Sequence, residues 1–294
     1  MPLVSVVIPV HNRASLLQEA LASVVRQTWR DLEVIVVDDG SEDGSAEVGE
    51  RWGARVVRMA HCGRPGKVRN VGVEHARGAL IAFLDSDDLW KPEKLTRQMA
   101  LWEGCARKGI PLVHTREEWM RKGRIISQAG QVHRREGNVF AWAVKKCIIG
   151  PSTVLMERRV FEDLGGFRED LEIAEDYELW LRLTDRCPVA YLDEPVVVKR
   201  AGAWEQLSEK YGHIEVFRIM ALKPLVDGDV FLPEHRAVAR EELIRKCEVY
   251  ARGARKRGRM EEAERFLSCA EAYRRGEKGG PDPWSCPVEE SDVP

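Results

Sequence analysis

The sequence has 294 residues, of which 44% are hydrophobic and 32% are charged, so it is long and apolar enough to form one large domain, or one domain with an appendage. Its 46 basic and 48 acidic side chains leave a net charge of −2, which argues against a general electrostatic attraction to nucleic acid. No apolar stretch approaches the roughly 20 residues that span a bilayer, no signal peptide is visible, and the seven cysteines lack metal-site or disulfide spacing, so we expect a cytoplasmic protein with reduced thiols.

The first 111 residues alternate apolar strand patterns with amphipathic helix patterns. Strands are predicted at 4–10, 33–37, 54–59 and 80–84, and helices at 14–28, 45–52, 68–77 and 94–108. This alternation predicts an α/β domain with a Rossmann-like, mainly parallel sheet and helices on both faces. Ligands of such sheets bind at the carboxyl ends of the strands. Asn12 or Ser15 is expected to cap the first helix.

Polar side chains cluster at three of these strand ends. They are His11-Asn12, Asp38-Asp39 and Asp85-Ser86-Asp87. In extended chain the carboxylates of Asp85 and Asp87 would point the same way and repel each other unless a cation lies between them. Mg²⁺ and Mn²⁺ prefer such oxygen ligands together with substrate phosphates. The alternative is a solvated acidic turn, but three polar clusters at one sheet edge favour a metal–diphosphate site.

A glycine-containing loop at 63–70 leads into the third helix and carries Arg64, Lys67 and Arg69. Helix N-termini and cationic side chains both favour phosphate, so this loop is a candidate phosphate contact, although an ordinary exposed loop fits the same residues equally well. The first strand is not followed by a GxGxxG motif, and the chain has no Walker A motif. Those two nucleotide-binding loops are therefore not indicated.

From residue 112 the pattern loosens. Strands are predicted at 113–115, 152–157, 189–192 and 196–199, a hairpin turn at 121–124, and a short helix at 159–164 that Gly165-Gly166 would end. A further helical pattern at 172–183 contains Glu175-Asp176 ahead of its apolar run. An acidic pair in a first helical turn is stabilised by the helix dipole, which is a structural explanation for Asp176.

Residues 204–275 are dominated by helix formers, with a helical hairpin predicted at 238–257 and 260–273 around Gly258. The hairpin resembles one tetratricopeptide-type helix pair, and because about three repeats are needed for a solenoid we interpret it as a cap or docking element. Its basic residues favour a solvated face, with attraction to anionic lipid as the alternative. Residues 276–294, with four prolines and an acidic end, are predicted to be disordered.

Taken in order, the motifs resemble those of family 2 glycosyltransferases, which have the GT-A (nucleotide-diphospho-sugar transferase) fold. They are Pro9-Val10-His11-Asn12, Asp38-Asp39-Gly40-Ser41, Gly66 to Gly72, Asp85-Ser86-Asp87-Asp88, Gly165-Gly166-Phe167 and Glu175-Asp176. Each motif is weak alone, but the ordered combination is specific and covers roughly the first 200 residues. The C-terminal helices lie outside the resemblance.

The resemblance implies inverting transfer of a sugar from a nucleotide-diphosphate sugar, UDP-sugar foremost, to an acceptor hydroxyl, helped by Mn²⁺ or Mg²⁺. It assigns Asp176 as the catalytic base, Asp87 as the metal ligand and Arg69 as a residue near the diphosphate. It also assigns His11 and Asp39 to the nucleobase, where Asp39 would accept the ring N–H of uracil.

The same resemblance supplies the rest of the nucleotide-sugar contacts. Pro9 and Asn12 would shape the nucleobase pocket, and Asp85 would contact the ribose. Lys67 of the basic loop and Ser86 of the acidic motif are further candidates for the donor site. One departure from the family concerns a histidine motif that many relatives carry after the last strand of the second half. Residues 199–208 contain no histidine here, so Arg200, Gln206 or Ser208 are candidates to replace it.

We predict three regions. They are a GT-A domain at 1–203, with a nucleotide-binding half (1–111) and an acceptor-binding half (112–203), a helical extension at 204–275, and the tail at 276–294. The acceptor would be a saccharide or lipid-linked saccharide in cell-envelope or exopolysaccharide synthesis, and peripheral attachment to the inner face of the cell membrane is compatible with that role.

Two other functions stay open, and so does the oligomeric state. A sugar-phosphate nucleotidyltransferase typically carries a glycine-rich loop directly after the first strand, where this chain has Pro9-Val10-His11-Asn12-Arg13. A non-catalytic scaffold that binds nucleotide sugars would bind without turnover.

Overall fold

The first part of the chain folds as the alternation predicts. The computed structural model describes residues 3–121, 123–126, 135–201, 214–277 and 279–284. The first strands are β1 (Val4–Val10), β2 (Leu32–Asp39), β3 (Arg55–Met59), β4 (Leu80–Phe83) and the short β5 (Leu89–Trp90). The first helices are α1 (Ala14–Val25), α2 (Ser45–Arg51), α3 (Pro65–Glu74) and α4 (Lys94–Ala106). Helix α3 begins three residues before its predicted start, because Pro65 has no N–H to pair and suits a first helical position.

From residue 112 the chain is less regular. The strands are β6 (Leu112–Arg121), β7 (Arg124–Ile126), β8 (Leu155–Glu157) and β9 (Ala190–Ala201). The helices are α5 (Phe140–Ala143), α6 (Arg158–Asp163) and α7 (Glu175–Arg186). The prediction of two separate strands near 189–192 and 196–199 is wrong, because β9 continues through Pro195. The register of β9 against β6 shifts where Arg116 faces Pro195, and such an irregularity accommodates a residue without an N–H.

The described strands form one sheet in the order β3-β2-β1-β4-β8-β6-β9-β5, with β7 paired to β6. Strands β1 to β4 are parallel and β6 is parallel to β9, whereas β5, β7 and β8 run antiparallel to their neighbours. Because β2, β1 and β4 are adjacent and parallel, their carboxyl ends meet at one edge. That edge carries the three polar clusters of the sequence.

The hydrophobic core covers both faces of the sheet. Val7 belongs to the buried cluster that contains Trp180 of α7, and Ile8 belongs to the separate cluster that contains Leu17 of α1, as alternation along a strand requires. Each such fully buried aliphatic side chain contributes about 1.5–3 kcal/mol to folding. Helix α3 lies directly on β1, since a Cβ added to Gly72 would be 2.3 Å from Cγ1 of Val7.

A second compact unit, His213–Pro294, follows the first, Met1–Gly212. Its helices are α8 (Ile214–Asp227), α9 (Pro233–Lys256) and α10 (Met260–Arg274). The predicted hairpin is present: Gly258, with a φ of +77°, makes the turn, and the rings of Tyr250 and Phe266 pack between α9 and α10 at a centroid distance of 4.3 Å. The predicted boundary after residue 203 lies outside the described residues.

The tail that the sequence predicts to be disordered is described as far as residue 284, apart from residue 278. The Gly279 N–H donates to a carboxylate oxygen of Asp227 at 3.1 Å, and the Trp284 ring packs edge-on against Phe266 at 5.1 Å. Residues 285–294 lie outside the described residues, where disorder stays a prediction. In the described chain, none of the helices combines the length and the apolar character that crossing a bilayer requires.

Candidate functional site

The first group of polar side chains, here called the histidine cluster, consists of His11, Asn12, Asp39 and His61. The backbone carbonyl of Asp39 accepts hydrogen bonds from Nδ1 of His11 at 2.7 Å and from Nδ1 of His61 at 3.0 Å. The two imidazole rings stack with centroids 3.9 Å apart and planes 22° apart. Because a carbonyl only accepts, both Nδ1 atoms carry a proton, and Nε2 of His11 accepts from the Asn12 side chain at 3.1 Å.

The loop after β3 wraps around the Asp39 side chain. The Asp39 carboxylate accepts the backbone N–H groups of Cys62 at 2.8 Å and Gly63 at 3.0 Å. Gly40 is required beside this loop, because a Cβ there would lie 2.7 Å from the backbone nitrogen of His61 and its φ is +68°. Nδ1 of His61 also lies 3.0 Å from the Oδ2 atom that accepts from Gly63. Oδ1, which accepts from Cys62, has two lone pairs and therefore retains acceptor capacity for a ligand N–H.

The loops after β1 and β2 are joined by hydrogen bonds. Asn12, with a φ of +48°, donates its backbone N–H to Oγ of Ser41 at 2.9 Å and accepts from the Glu42 N–H at 2.8 Å. The predicted cap of α1 is wrong: the Ala14 N–H is bound by the Asp43 carboxylate at 2.8 Å instead of by Asn12 or Ser15. Sequence reasoning missed Asp43 because it reaches α1 from another loop. Pro9 lies inside β1, in register with Val37.

The second group is called the carboxylate cluster and consists of Asp85, Asp87, Asp88, Glu175 and Asp176. Asp85 to Asp88 form a turn, closed by the Asp88 N–H bonding to the Asp85 carbonyl at 2.9 Å, with Ser86 buried inside it. The argument that Asp85 and Asp87 point together from extended chain is therefore wrong. Separate guanidinium groups neutralise them instead: Asp85 is 2.5 Å from Nη2 of Arg69, and Asp87 is 2.8 Å from Nη1 of Arg13.

Asp88, which sequence reasoning did not select, completes that turn. Its carboxylate accepts from Oγ of Ser152 at 2.7 Å and from the backbone N–H of Arg200 at 3.2 Å. Burial, with the charges of Asp85 and Asp87, raises the pKa of Asp88 well above its usual value, against the opposing charge of Lys199.

Arg69 of α3 joins the two halves of the carboxylate cluster. It is 4% exposed, and its Nη1 and Nη2 atoms lie 2.5 Å from Glu175 and Asp85 respectively. Burial alone would raise the pKa of Asp85, but the charges of Arg69, Lys199 and Arg13 and the hydrogen bond from Arg69 together outweigh burial, and the pKa falls. Burial raises the pKa of Glu175 to about 7, with Asp176 adding to the shift and Arg69 opposing it. Lys67 lies half-buried in the first turn of the same helix.

Asp176 lies half-buried in the first turn of α7. Its Oδ1 accepts the Tyr177 N–H at 2.6 Å, and its Oδ2 lies 3.4 Å from Sγ of Cys147. Ala174, the residue before α7, has a left-handed φ of +68°, which is costly for a residue with a Cβ. Because Asp176 accepts the Tyr177 N–H, it also stabilises the first turn of α7. This is the structural role that its position in a first helical turn predicted.

Asn70, next to Arg69, holds the segment that leads into α7. Its side chain donates to the Phe167 carbonyl at 2.9 Å and accepts the Phe167 N–H at 2.9 Å. A Cβ on Gly166 would lie 2.8 Å from Oδ1 of Asn70, so this close approach requires glycine. Two consecutive residues of α3 therefore contact the start of α7 and the segment that leads into it.

Three cationic side chains lie beside the site, and no local sequence pattern predicts their contacts there. Arg13 contacts Asp87, as described above. Arg200 donates from Nε to the Asp87 carbonyl at 2.6 Å and from Nη1 to Glu19 at 2.6 Å. Lys199 lies with its Nζ 5.5 Å from the centroid of the Trp119 ring. The other candidates for the missing histidine, Gln206 and Ser208, lie outside the described residues.

Two groups could be considered as metal ligands. His11, Asp39 and His61 offer ligand atoms within 4.8 Å of one another. Their stacked, nearly parallel rings do not direct two nitrogen lone pairs at one point, and both Nδ1 atoms already bond to Asp39, so this arrangement suits an ion poorly. The turn from Asp85 to Asp88 supplies oxygen donors only, which fits a hard divalent cation at Asp87.

Comparisons with known proteins place this chain in a family. The sequence model of the family described as glycosyl transferase family 2 matches residues 5–165. An uncharacterized glycosyltransferase of Rickettsia felis is 30% identical over 216 residues, covering 71% of this chain and 36% of that protein. The Escherichia coli protein WfgD, named UDP-Glc:alpha-D-GlcNAc-diphosphoundecaprenol beta-1,3-glucosyltransferase, is 29% identical over 184 residues, covering 62% of this chain and 69% of that protein.

Solved structures show the same fold. TarS residues 1–349 of S. aureus, in complex with UDP-GlcNAc, match with a TM-score of 0.71 at 19% identity, over 93% of this chain and 92% of that one. The mannosyltransferase PcManGT of Pyrobaculum calidifontis, in complex with GDP-Man and Mn2+, matches with a TM-score of 0.57 at 19% identity, over 96% of this chain and 77% of that one. The predicted GT-A fold is thereby confirmed. The chain spans between about one third and two thirds of the length of the first Rickettsia relatives it matches, 36% of one and 63% of another.

Proposed function

Since the chain belongs to glycosyltransferase family 2, we propose that it transfers a sugar from a nucleotide-diphosphate sugar to an acceptor hydroxyl, with inversion at the anomeric carbon. The observation that carries this proposal is the Arg69 bridge. It joins Asp85, at the end of β4, to Glu175, next to Asp176 in α7. A donor bound at the carboxyl ends of β1, β2 and β4 would therefore lie beside a carboxylate able to act as a base.

The donor is a UDP-sugar in this proposal. The nucleobase would bind at the histidine cluster, with the His11 ring against its face and the uracil N–H donated to Asp39. The complex of TarS with UDP-GlcNAc supports this choice. Pro9 and Asn12 would shape the pocket, Asp85 and Ser86 would face the ribose, and Lys67, in the first turn of α3, would approach the diphosphate, where helix dipole and side-chain charge both favour an anion.

The proposed cofactor is Mn²⁺ or Mg²⁺. Asp87 would hold the ion together with oxygens of the donor diphosphate, and the Mn²⁺ complex of PcManGT supports this assignment. The bound ion would offset negative charge on the departing nucleoside diphosphate.

The transfer step needs one base and no covalent enzyme intermediate. Asp176 would accept the proton of the acceptor hydroxyl while the acceptor oxygen bonds to the anomeric carbon and the bond to the diphosphate oxygen breaks. The nucleoside diphosphate leaves with the bonding electron pair. A single displacement of this kind inverts the anomeric centre.

The acceptor in this proposal is a saccharide or a lipid-linked saccharide of cell-envelope or exopolysaccharide synthesis. The name of WfgD, which specifies a sugar linked to diphosphoundecaprenol, supports that class. Peripheral attachment to the inner face of the cell membrane would bring such an acceptor to the site.

The test is a panel of nucleotide sugars with Mn²⁺, in which release of nucleoside diphosphate and product formation are both measured. We expect Asp176→Asn to bind the donor but lose about 10²–10⁴-fold in transfer rate. Asp87→Ala should lose the part of donor binding that depends on Mn²⁺. Asp163→Asn, an exposed substitution in α6, is the matched control. A near wild-type rate for folded Asp176→Asn would overturn the base, and release of pyrophosphate would favour nucleotidyl transfer instead.

A further inference from the structure

Lys199 is a half-buried cation for which the mechanism above has no task. It lies in β9, between Val198 and Arg200. Val198 is in register with Leu89 of β5, the first residue after the carboxylate turn, and Arg200 binds Asp87 and Asp88 of that turn. Alternation along a strand places Lys199 on the opposite face from Arg200. Strand β9 therefore brings a second cation, directed to its other face, to the same turn.

The surroundings of Lys199 are acidic and aromatic. Lys199 is in register with Trp119 of β6, and its Nζ lies 5.5 Å from the centroid of that indole ring. The carboxylates of Glu117, Asp88, Asp85 and Asp176 act on its charge. Burial would lower the pKa of Lys199, but these four carboxylates outweigh burial and raise it, so the ammonium stays charged.

Lys199 differs from the arginines of the site in how its donors are used. Arg13, Arg69 and Arg200 each donate directly to a carboxylate. Within the chain that the structure describes, the carboxylates around Lys199 act on it without forming a direct ion pair. An ammonium has three N–H donors, so Lys199 retains hydrogen-bonding capacity at a place where the ends of β4 and α7 meet.

We propose that Lys199 binds the diphosphate of the donor and stabilises the nucleoside diphosphate as it leaves. The inference rests on the proposed function and assigns a residue that stabilises the leaving group of that reaction. The ammonium donates a hydrogen bond to a phosphate oxygen and keeps its proton throughout. As the glycosidic bond breaks, charge accumulates on the diphosphate, and a preorganised cation in a half-buried site favours that state.

Lys199 is better suited to this task than its neighbours. Arg69 has both terminal nitrogens engaged by Glu175 and Asp85. Arg200, a sequence candidate for the missing histidine, is held by the Asp87 carbonyl and by Glu19 of α1, on the other face of β9. In the competing explanation, Lys199 only balances the surrounding carboxylates and never meets the ligand.

The experiment measures dissociation constants of uridine, UMP and UDP, and of the guanosine series, by calorimetry with and without Mn²⁺. The wild type is compared with Lys199→Gln, Lys199→Arg and the control Lys108→Gln, which removes one positive charge at an exposed position. We expect the gain in affinity from nucleoside to nucleoside diphosphate to fall at least tenfold in Lys199→Gln. Nucleoside affinity should not change, and Lys199→Arg should recover part of the gain.

The outcomes separate the inference from the function on which it rests. An unchanged ratio of nucleoside to nucleoside diphosphate affinity in Lys199→Gln would overturn the role of Lys199 and leave the glycosyltransferase proposal standing. A folded wild type that binds neither series would overturn both. If Lys199→Gln does not fold, amine acylation of the wild type decides: protection of Lys199 by UDP but not by uridine supports the contact, and equal labelling refutes it.

Discussion

The histidine cluster and the carboxylate cluster are adjacent but are held together by different interactions. In the histidine cluster, loops after β1, β2 and β3 exchange short-range hydrogen bonds, such as those from His11 and His61 to one backbone carbonyl. In the carboxylate cluster, buried charges are matched in pairs, such as Arg69 with Glu175. A buried charge that loses its partner costs far more than a half-exposed hydrogen bond that is replaced by water. The two ends of the site should therefore respond differently to substitution.

The largest effect is expected from Arg69→Met. It leaves the buried Glu175 and the half-buried Asp85 without their cation, so we expect the free energy of unfolding to fall by about 3–5 kcal/mol. Urea denaturation measures this change. Arg58→Met is the matched control, because Arg58 also bridges two acids, Glu47 and Glu50, but is 51% exposed. Equal shifts in the two variants would remove the distinction drawn above.

A smaller effect is expected from Glu175 as the pH changes. The folded chain raises the pKa of this carboxyl from 4.5 to about 7, so the folded state binds more protons than the unfolded state between those values. The contribution of Glu175 to the free energy of unfolding therefore falls as the pH rises through this window. It should fall by at most about 3 kcal/mol, the equivalent of that shift.

Melting temperatures of the wild type and Glu175→Gln from pH 4.5 to pH 8 test this expectation. The wild type should lose stability relative to Glu175→Gln as the pH rises. Glu172→Gln, at an exposed position in the same segment, controls for the loss of a carboxylate. Parallel profiles for the wild type and Glu175→Gln would show that Glu175 does not titrate in this window.

At the other end of the site, His11→Ala should act on ligand binding. Loss of a ring against the nucleobase is expected to cost about 1–2 kcal/mol, or roughly five- to thirty-fold in affinity. The affinities for nucleoside and for nucleoside diphosphate should fall by the same factor. In Lys199→Gln, by contrast, only the affinity for nucleoside diphosphate should fall. Calorimetry measures both affinities. The control is His75→Ala, a histidine directly after α3 whose ring bonds to the Val71 carbonyl. If only the affinity for nucleoside diphosphate falls, the His11 ring does not contact the nucleobase and this assignment is wrong.

The smallest effect is expected from Ala174→Gly. Ala174 adopts a φ of +68° before α7, and glycine adopts this conformation without the steric cost of about 1–2 kcal/mol that a Cβ carries. A gain in stability of up to about 1 kcal/mol is expected once the added backbone freedom of glycine in the unfolded chain is subtracted. The same substitution at Ala22, inside α1, should destabilise instead. Denaturation midpoints that move in the same direction would contradict this account.

The sequence predicted most of the first half of the fold, because that half consists of regular strands and amphipathic helices with strong local patterns. The three polar clusters at the sheet edge follow from that topology. The cap of α1 could not be found in the same way, since Asp43 reaches it from a separate loop. Strand β9 was split in the prediction because Pro195 ordinarily ends a strand pattern, whereas here the register against β6 shifts around it.

The sequence indicated which residues belong to the site better than it indicated which of them contact each other. Asp85, Asp87 and Asp176 stand out in the sequence, but nothing local indicates that Arg69 bridges to Glu175 or that Arg13 binds Asp87. Lys199 and Arg200 reach the turn only because β5 pairs with β9 across more than a hundred residues. The assignments of ligand contacts to these residues remain predictions that the experiments above address.

The distance in sequence between the two clusters has a consequence for synthesis. The histidine cluster is complete at Gly63, whereas Glu175, the partner of Arg69, follows 112 residues later. At about 5–20 residues per second, a ribosome delivers that partner roughly 6–20 s afterwards. Within that interval, from the synthesis of β4 until the synthesis of β8, β4 presents an open edge, because β8 is its other neighbour. The nascent chain can thus assemble its histidine cluster before the acid that completes the Arg69 bridge is translated.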